Sequence, residues 1–326
     1  MRRTLRAWNA DVMHLAGPFV LGAQGCRVGQ SLGIPLAAHY QTNIERYARH
    51  FHLSFLAGVA QARLLHLHNR CQVNYAPTIG EAKTLTGQGM RRVRVSGRGV
   101  DSLLFHPGRR SDQVRRALLR PGEHTILLYV GRLSAEKNIE HLAPTLAAIP
   151  GARLILVGDG PRRAALEQYF GALPATFLGE RHGEELATLY ASADIFTFPS
   201  LSETFGQVVQ EAMASGPAIV AFGAGGVSDL LRHGEEGLLC SPASPGDWFT
   251  HAQALAENPV LRARLSERAR SAVLGRTWEA VFDKLFADYA ALLIGEQAAI
   301  PSLSARISVP GLQSKEGMHS AKERIA

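Results

Sequence analysis

Between about Glu123 and Cys240, short apolar runs alternate with stretches patterned like amphipathic helices. The runs are Thr125–Val130, Arg153–Val157, Ala175–Leu178, Asp194–Phe198 and Ala218–Phe222. Each is rich in β-branched or aromatic residues and bounded by Gly, Pro or Asp, which predicts strands. The intervening segments Asn138–Ile149, Arg162–Phe170, Glu184–Ala191 and Gly206–Ser215 carry a helical pattern. Strict alternation predicts a parallel sheet covered on both faces. Ligands of such a doubly wound sheet sit outside the carboxyl ends of its strands.

The first hundred residues are less regular. Their pattern predicts strands at Asp11–Leu15, Pro35–Ala38, Gln72–Tyr75 and Val93–Ser96, and helices at Pro18–Ser31 and Ser54–Asn69. This half also reads as α/β. Its four strands fall short of the roughly five or six of a complete sheet. Gly99–Gly108, which holds Pro107, reads as the join between the halves. Helices resume at Trp248–Glu257, Leu261–Leu274 and Trp278–Leu293. The expected organisation is a partial Rossmann-like domain over 1–107 and a complete one over 108–276. A helix over 277–294 crosses back to the first domain, and a disordered tail covers 295–326.

Composition narrows the class. The 326 residues suit roughly two domains of about 150 each. With 46% hydrophobic and 19% charged residues, the balance is that of an ordinary globular protein. No run approaches the roughly 20 apolar residues of a membrane span, and the first ten residues lack the core of a signal peptide. Cys26, Cys71 and Cys240 are odd in number and have no CxxC spacing, which argues against a disulfide framework and a zinc site. A reducing cytosol is the simplest compartment. The net charge of +7 suits nucleic acid, an anionic membrane or phosphate-bearing substrates. No zinc finger, RNP-type aromatic motif or basic helix supports nucleic acid.

Three segments carry candidate chemistry. Gly131-Arg132-Leu133-Ser134-Ala135-Glu136-Lys137 follows a strand and precedes a helix. Two cations there make a polyanion site, with Arg132 able to fork two oxygens and Lys137 supplying a point charge. Ser202-Glu203-Thr204-Phe205-Gly206-Gln207-Val208-Val209-Gln210-Glu211 follows the strand Asp194–Phe198. Gly206 permits close backbone approach, and the amides from Phe205 onward face an anion. Glu203 and Glu211, eight positions apart, would lie about 12 Å apart along a helix axis. That exceeds the roughly 5–9.5 Å of a hydrolase carboxylate pair and suits two hydroxyl-bearing sugars of one extended ligand. Ala224-Gly225-Gly226-Val227-Ser228-Asp229 repeats the strand–glycine–helix form, as does Gly158-Asp159-Gly160-Pro161, a βα turn near a nucleotide base.

Taken together, these segments resemble the signature of family 4 retaining glycosyltransferases, which have the two-domain GT-B fold. Arg98-Gly99-Val100-Asp101 with Phe105-His106-Pro107, Leu156–Pro161 and Glu211-Ala212-Met213-Ala214-Ser215-Gly216 extend the likeness over about Asp11–Leu293. The resemblance implies that Arg132 and Lys137 grip a donor diphosphate, with Glu203 on the transferred sugar and Glu211 on the ribose. Phe205, Gly206 and Gln207 would offer backbone amides. Arg132, Lys137 and Glu203 are thus the candidate catalytic residues, joined in donor binding by Gly131, Phe205, Gly206, Gln207, Glu211 and Gln41. The resemblance implies no metal or other cofactor, because cations of the chain neutralise the leaving phosphate.

Ala38-His39-Tyr40-Gln41-Thr42-Asn43-Ile44 is similar to a segment of actinobacterial GDP-mannose-dependent α-mannosyltransferases that build lipid-linked mannosides, with Asn43 where they have Asp. The implied function is transfer of a hexose, mannose from GDP-mannose, to a lipid or glycolipid acceptor. The alternatives are a UDP-sugar transferase of the sulfoquinovosyl diacylglycerol synthase type and a non-catalytic nucleotide-sugar-binding remnant. Arg46, Arg49, Arg63, Arg70, Arg91, Arg92 and Arg94 offer charge to an anionic bilayer at about 1 kcal/mol each. Peripheral attachment to the inner face of the plasma membrane is therefore expected. His66 and His68, two apart, face different sides of a helix. The strand and glycine-rich loop with which the family starts are not seen before Asp11. The expectation is an N-terminally truncated chain, from a wrong start codon or a degenerate gene, that binds donor but transfers poorly.

Overall fold

The computed structural model describes residues 1–41, 54–244 and 246–295, with side chains from Gly58 onward in the second stretch. The expectations for Thr42–Ile44, Arg46, Arg49 and residues 296–326 lie outside the described residues. The chain divides into two compact units. One joins Met1–Gly97 to the chain from Phe282 on, and the other is Arg98–Val281. The first boundary precedes the expected 107/108. The second falls inside the last helix rather than at 276/277.

In the first unit, α1 (Arg2–Ala7), β1 (Met13–Leu15), α2 (Val20–Leu32), β2 (Leu36–His39), α3 (Ser54–His68), β3 (Val73–Ala76), α4 (Ile79–Gly87) and β4 (Val93–Val95) follow one another. The sheet runs β1-β2-β3-β4 and every pair is parallel. The four strands and both helices lie where the apolar pattern predicts. Helix α4 was not anticipated, although Thr78 and Glu81 carry its signal. The Thr78 hydroxyl accepts the Glu81 amide at 3.2 Å, a helix N-cap.

A polar chain runs through this unit. His14 Nδ1 bonds the Tyr289 hydroxyl, and His14 Nε2 lies 3.0 Å from His39 Nδ1. Both imidazoles pack against Tyr75. Burial holds His14 and His68 below the ordinary histidine pKa, and His68 bonds Asn74 Oδ1 at 2.8 Å. A depressed histidine takes its proton first in the unfolded chain. Its contribution is therefore complete above about pH 6.5 and is lost as the pH falls below that value. Their share is read as a difference: between about pH 7.5 and about pH 5.5 the urea midpoint of a His14→Asn, His68→Asn chain should fall less, or rise more, than that of the wild type.

The second unit contains α5 (Asp112–Leu118), β5 (Thr125–Val130), α6 (Ala143–Ala148), β6 (Ala152–Val157), α7 (Arg163–Phe170), β7 (Ala175–Gly179), α8 (Gly183–Ser192), β8 (Ile195–Phe198), α9 (Gln207–Ser215), β9 (Ala218–Phe222), α10 (Val227–Leu230), β10 (Leu238–Cys240), α11 (Asp247–Glu257) and α12 (Pro259–Val273). Its all-parallel sheet runs β10-β9-β8-β5-β6-β7. Every residue of β5, β6, β8 and β9 is buried, as a sheet covered on both faces requires. Arg153 is buried within β6 because Glu123 takes its guanidinium in two bonds, at 2.5 and 2.6 Å. The predicted helix Asn138–Ile149 resolves into a 3₁₀ turn Ile139–Leu142 followed by α6, after Asn138 turns left-handed at φ 58°.

Helix α13 (Trp278–Leu293) begins in the second unit and ends in the first. Leu292 packs there with Ala37, Val73 and Tyr75. Among the described residues no helix is long and apolar enough to cross a membrane. The three cysteines are free.

Candidate active site

The second sheet reverses its order between β5 and β8. From β5 the chain builds outward to β6 and β7, and from β8 outward to β9 and β10. Loops leaving the carboxyl ends on either side of such a reversal diverge and open a crevice. The loop after β5 carries Gly131–Lys137 and the loop after β8 carries Glu203.

Lys137 and Glu203 meet across this reversal in an ion pair, with side chains 18% and 17% exposed. Ser200, fully buried, donates to Glu203 Oε1 at 3.0 Å. The Lys137 ammonium also stands 6.0 Å from the centre of the Phe198 ring. The carboxylate therefore has a fixed orientation, and it already engages the cation expected to serve a diphosphate.

The glycines explain how the loops stack. A Cβ on Gly158 would fall 2.0 Å from the Gly131 carbonyl oxygen, and one on Gly160 would fall 2.4 Å from that of Leu133. The β5 and β6 loops thus lie backbone against backbone, joined by Leu133 N to Asp159 O at 2.9 Å. Gly225 and Gly226 have a similar use. Gly226 N donates to Glu203 O at 2.9 Å, and a Cβ on Gly225 would fall 2.3 Å from the same oxygen. The third glycine segment therefore braces the Glu203 loop. With φ at +56°, Gly225→Ala meets both a left-handed backbone and a backbone clash. It should cost about 2–4 kcal/mol, read by urea denaturation.

Gly206 caps α9 in the left-handed region at φ 92°. The amides of Phe205, Gly206 and Gln207 precede the first bonded helical amides, Val209 and Gln210, which both reach the Gly206 carbonyl. Glu203 lies ahead of this helix, so its separation from Glu211 is set by the turn at Gly206 and not by helical rise. Glu211 lies farther along α9, and the Tyr190 hydroxyl donates to its Oε2 at 3.1 Å. Burial pushes the Glu211 carboxyl up to about 7, against the opposing pull of bonds from Tyr190 and Gln207.

Arg132 is exposed, and its guanidinium has no partner among the described residues. It lines a cleft of about 480 Å³ with Gly131, Asp159, Gly160, Glu180 and Arg181, at the ends of β5, β6 and β7. Gln41 belongs to the first unit, exposed just after β2. The structure thus brings Lys137, Glu203 and the start of α9 together. Ser200, Tyr190 and Phe198 were not anticipated. Ser200 follows Pro199 at a strand end, a weak local signal, and Tyr190 is remote in sequence from Glu211 and left none. Of the arginines expected to face a bilayer, Arg94 is turned to an ion pair with Asp288, while Arg63, Arg70, Arg91 and Arg92 are exposed. Among the described residues no group of three or more His, Cys, Asp or Glu side chains is placed to hold a metal ion.

The chain is similar to known proteins over both of its units. Residues 110–272 match the model of the glycosyl transferases group 1, and residues 1–102 that of glycosyltransferase family 4. A GDP-mannose-dependent alpha-mannosyltransferase of Mycobacterium tuberculosis is 40% identical over 90% of this chain and 76% of its own. One of Corynebacterium glutamicum is 39% identical over 88% of this chain and 68% of its own. A sulfoquinovosyl transferase of Arabidopsis thaliana is 32% identical, covering 85% of this chain and 56% of its own. Among solved structures, Anabaena HepE in complex with UDP and glucose has a TM-score of 0.76 at 22% identity, over 89% of this chain and 80% of that one. A sucrose-phosphate synthase of Thermosynechococcus elongatus has 0.75 at 24% identity, over 90% and 76%.

Proposed function

From the premise that this chain belongs to glycosyltransferase family 4, with two Rossmann-like domains of the GT-B kind, we propose that it moves mannose from GDP-mannose to a lipid or glycolipid acceptor with retention. The observation that carries this reading is the meeting of Lys137, Glu203 and the start of α9 at the strand reversal. It occurs in a chain 40% identical, over 90% of its length, to a GDP-mannose-dependent enzyme.

In this reading Arg132 and Lys137 hold the donor diphosphate with the amides of Phe205, Gly206 and Gln207. Glu203 accepts from hydroxyls of the transferred mannose and Glu211 from those of the ribose. Gly131 allows the backbone to approach. The cations of Arg132 and Lys137 offset charge on the leaving phosphate, so transfer requires no metal. That phosphate takes the acceptor proton on the face it leaves, and no side-chain nucleophile is required.

A calorimetric screen of nucleotide sugars tests the donor. GDP-mannose should bind, and Lys137→Ala and Glu211→Ala should each weaken it by about tenfold or more. Equal binding by the variants rejects the site. Binding of UDP-sugars in place of GDP-mannose favours the second reading, a transferase of the sulfoquinovosyl type, which the Arabidopsis relative supports. Donor binding without glycolipid product from a lipid extract marks a non-catalytic binder. Attachment to an anionic cytoplasmic membrane face through Arg63, Arg70, Arg91 and Arg92 predicts co-sedimentation with phosphatidylglycerol vesicles that salt reverses.

A further inference from the structure

The first unit carries an apolar cleft that the donor site does not use. It has a volume of about 440 Å³, and its walls include Met1 and Leu5 at α1, Leu15 of β1, and Ala16, Phe19 and Leu21 beyond that strand. The loop from Ala16 leaves the carboxyl end of β1. Every strand of this sheet is parallel, so the cleft lies at the edge where such sheets meet their ligands.

Large apolar side chains beside the cleft are left in water. Phe19, Val20 and Leu21 are consecutive and are 65%, 76% and 72% exposed, and Trp8 is 73% exposed. The turn that presents the three is tightly closed. A Cβ on Gly22 would fall 1.8 Å from the Gly17 carbonyl oxygen, and Ala23 N donates to Phe19 O at 2.8 Å. A backbone packed on itself thus displays these side chains, and soluble surfaces seldom leave so much contiguous apolar area without a partner.

Charge identifies the partner. Helix α1 and its caps place Met1, Leu5 and Trp8 at i, i+4 and i+7, which is one face of a helix, with Arg2, Arg3 and Arg6 between them. No residue of α1 is buried, and the three arginines are exposed. Asp11 is the one acid in residues 1–41. A basic helix with an apolar stripe, beside an apolar cleft, matches the boundary of an anionic bilayer, where phosphates meet acyl chains. A second copy docked face to face would instead set arginine against arginine.

We propose that this cleft takes an acyl chain of an anionic phospholipid, with Trp8, Phe19 and Leu21 entering the bilayer around it and the α1 arginines at the phosphates. The inference rests on the bilayer reading above, which charge alone supports, and adds insertion to it. Salt screens the attraction of Arg63, Arg70, Arg91 and Arg92 but does not weaken the burial of apolar side chains.

Sedimentation of the full chain with vesicles of phosphatidylglycerol and phosphatidylcholine separates the two. At about 0.5 M NaCl the wild type should keep a bound fraction. A Phe19→Ser, Leu21→Ser chain should partition about tenfold or more weakly at that salt. Bromine on the phosphatidylcholine acyl chains should quench wild-type tryptophan fluorescence, and Trp8→Phe should remove the quenching. That reading decides the matter should the double variant not fold. Ala16→Trp fills the cleft from its wall and should weaken binding of monomeric dihexanoyl phosphatidylglycerol about tenfold or more by calorimetry. Full release by salt, no quenching, or undiminished binding by either folded variant overturns the proposal. Full release by salt leaves the charge-based attachment standing, whereas no binding at low salt rejects both. A dimer in lipid-free buffer that the double variant cannot form overturns the proposal in favour of a second copy.

Discussion

Glu203→Gln should move two affinities in opposite directions. In the resting site the carboxylate holds Lys137, so any diphosphate must first draw that ammonium away. The amide of Gln cannot form the ion pair but keeps nearly the same shape. A free lysine should then bind GDP about fivefold more tightly, corresponding to about 1 kcal/mol for a mostly buried pair. In the proposed role of Glu203, GDP-mannose gains the same term but loses charge-assisted bonds from its sugar hydroxyls to the carboxylate, worth about 1.5–3 kcal/mol. Its affinity relative to GDP should therefore fall about tenfold to a hundredfold, with transfer falling at least as far. Calorimetry with both ligands separates the two effects. Parallel losses for GDP and GDP-mannose would show that Glu203 merely supports the loop.

Glu211 carries the second large effect, because burial raises its carboxyl to about 7. In its proposed role the carboxylate accepts from the ribose hydroxyls, whereas a protonated carboxyl must donate one of its own. GDP-mannose binding should therefore strengthen as the pH rises through about 7 and level off above about 8, changing up to tenfold per unit below the pKa. Folding stability runs the other way. The native state holds the proton to higher pH than the unfolded chain, so the stabilising contribution is complete below the ordinary carboxyl pKa of 4.5. It is lost as the pH rises through about 7. The difference amounts to about 3 kcal/mol. Glu211→Gln should thus be more stable than wild type at about pH 8, by up to that amount, while losing the pH dependence and most of the donor affinity. Thermal melts at two pH values, paired with calorimetry, test both halves. A variant that is no more stable at high pH would mean that the wild-type carboxyl is already well solvated.

The sheets were legible because a parallel sheet writes itself in runs. Each run of the second half matched a strand to within a residue or two, since burial on both faces leaves no alternation to misread. What escaped was short or polar. Strand β10 has three residues, and α4 depended on a single cap, Thr78. The placement of Lys137 and Glu203 in loops after strands was also legible, since each belongs to a contiguous motif at a strand end. Their mutual ion pair was not, because it depends on β5 and β8 being neighbours although β6 and β7 intervene in sequence. The side-chain partner of Gln207 was not legible for a related reason. Sequence position put Gln207 beside an anion through its backbone, while its side chain answers to Gly99, far away along the chain.

Six register pairs join β5 to β6, four join β8 to β9, and only two join β5 to β8. The join between a leaf led by β5 and a leaf led by β8 is thus the most sparsely laddered of the three, reinforced by the bond from Thr197 Oγ1 to Leu128 O at 3.1 Å. The leaf led by β5 carries Arg132 and Lys137, and the leaf led by β8 carries Glu203 and Glu211. The residues proposed for anion grip and those proposed for hydroxyl recognition are thereby mounted on separate leaves. The two sets are tied to one another through that join and the Lys137–Glu203 pair, so a change in either tie bears on the distance between them.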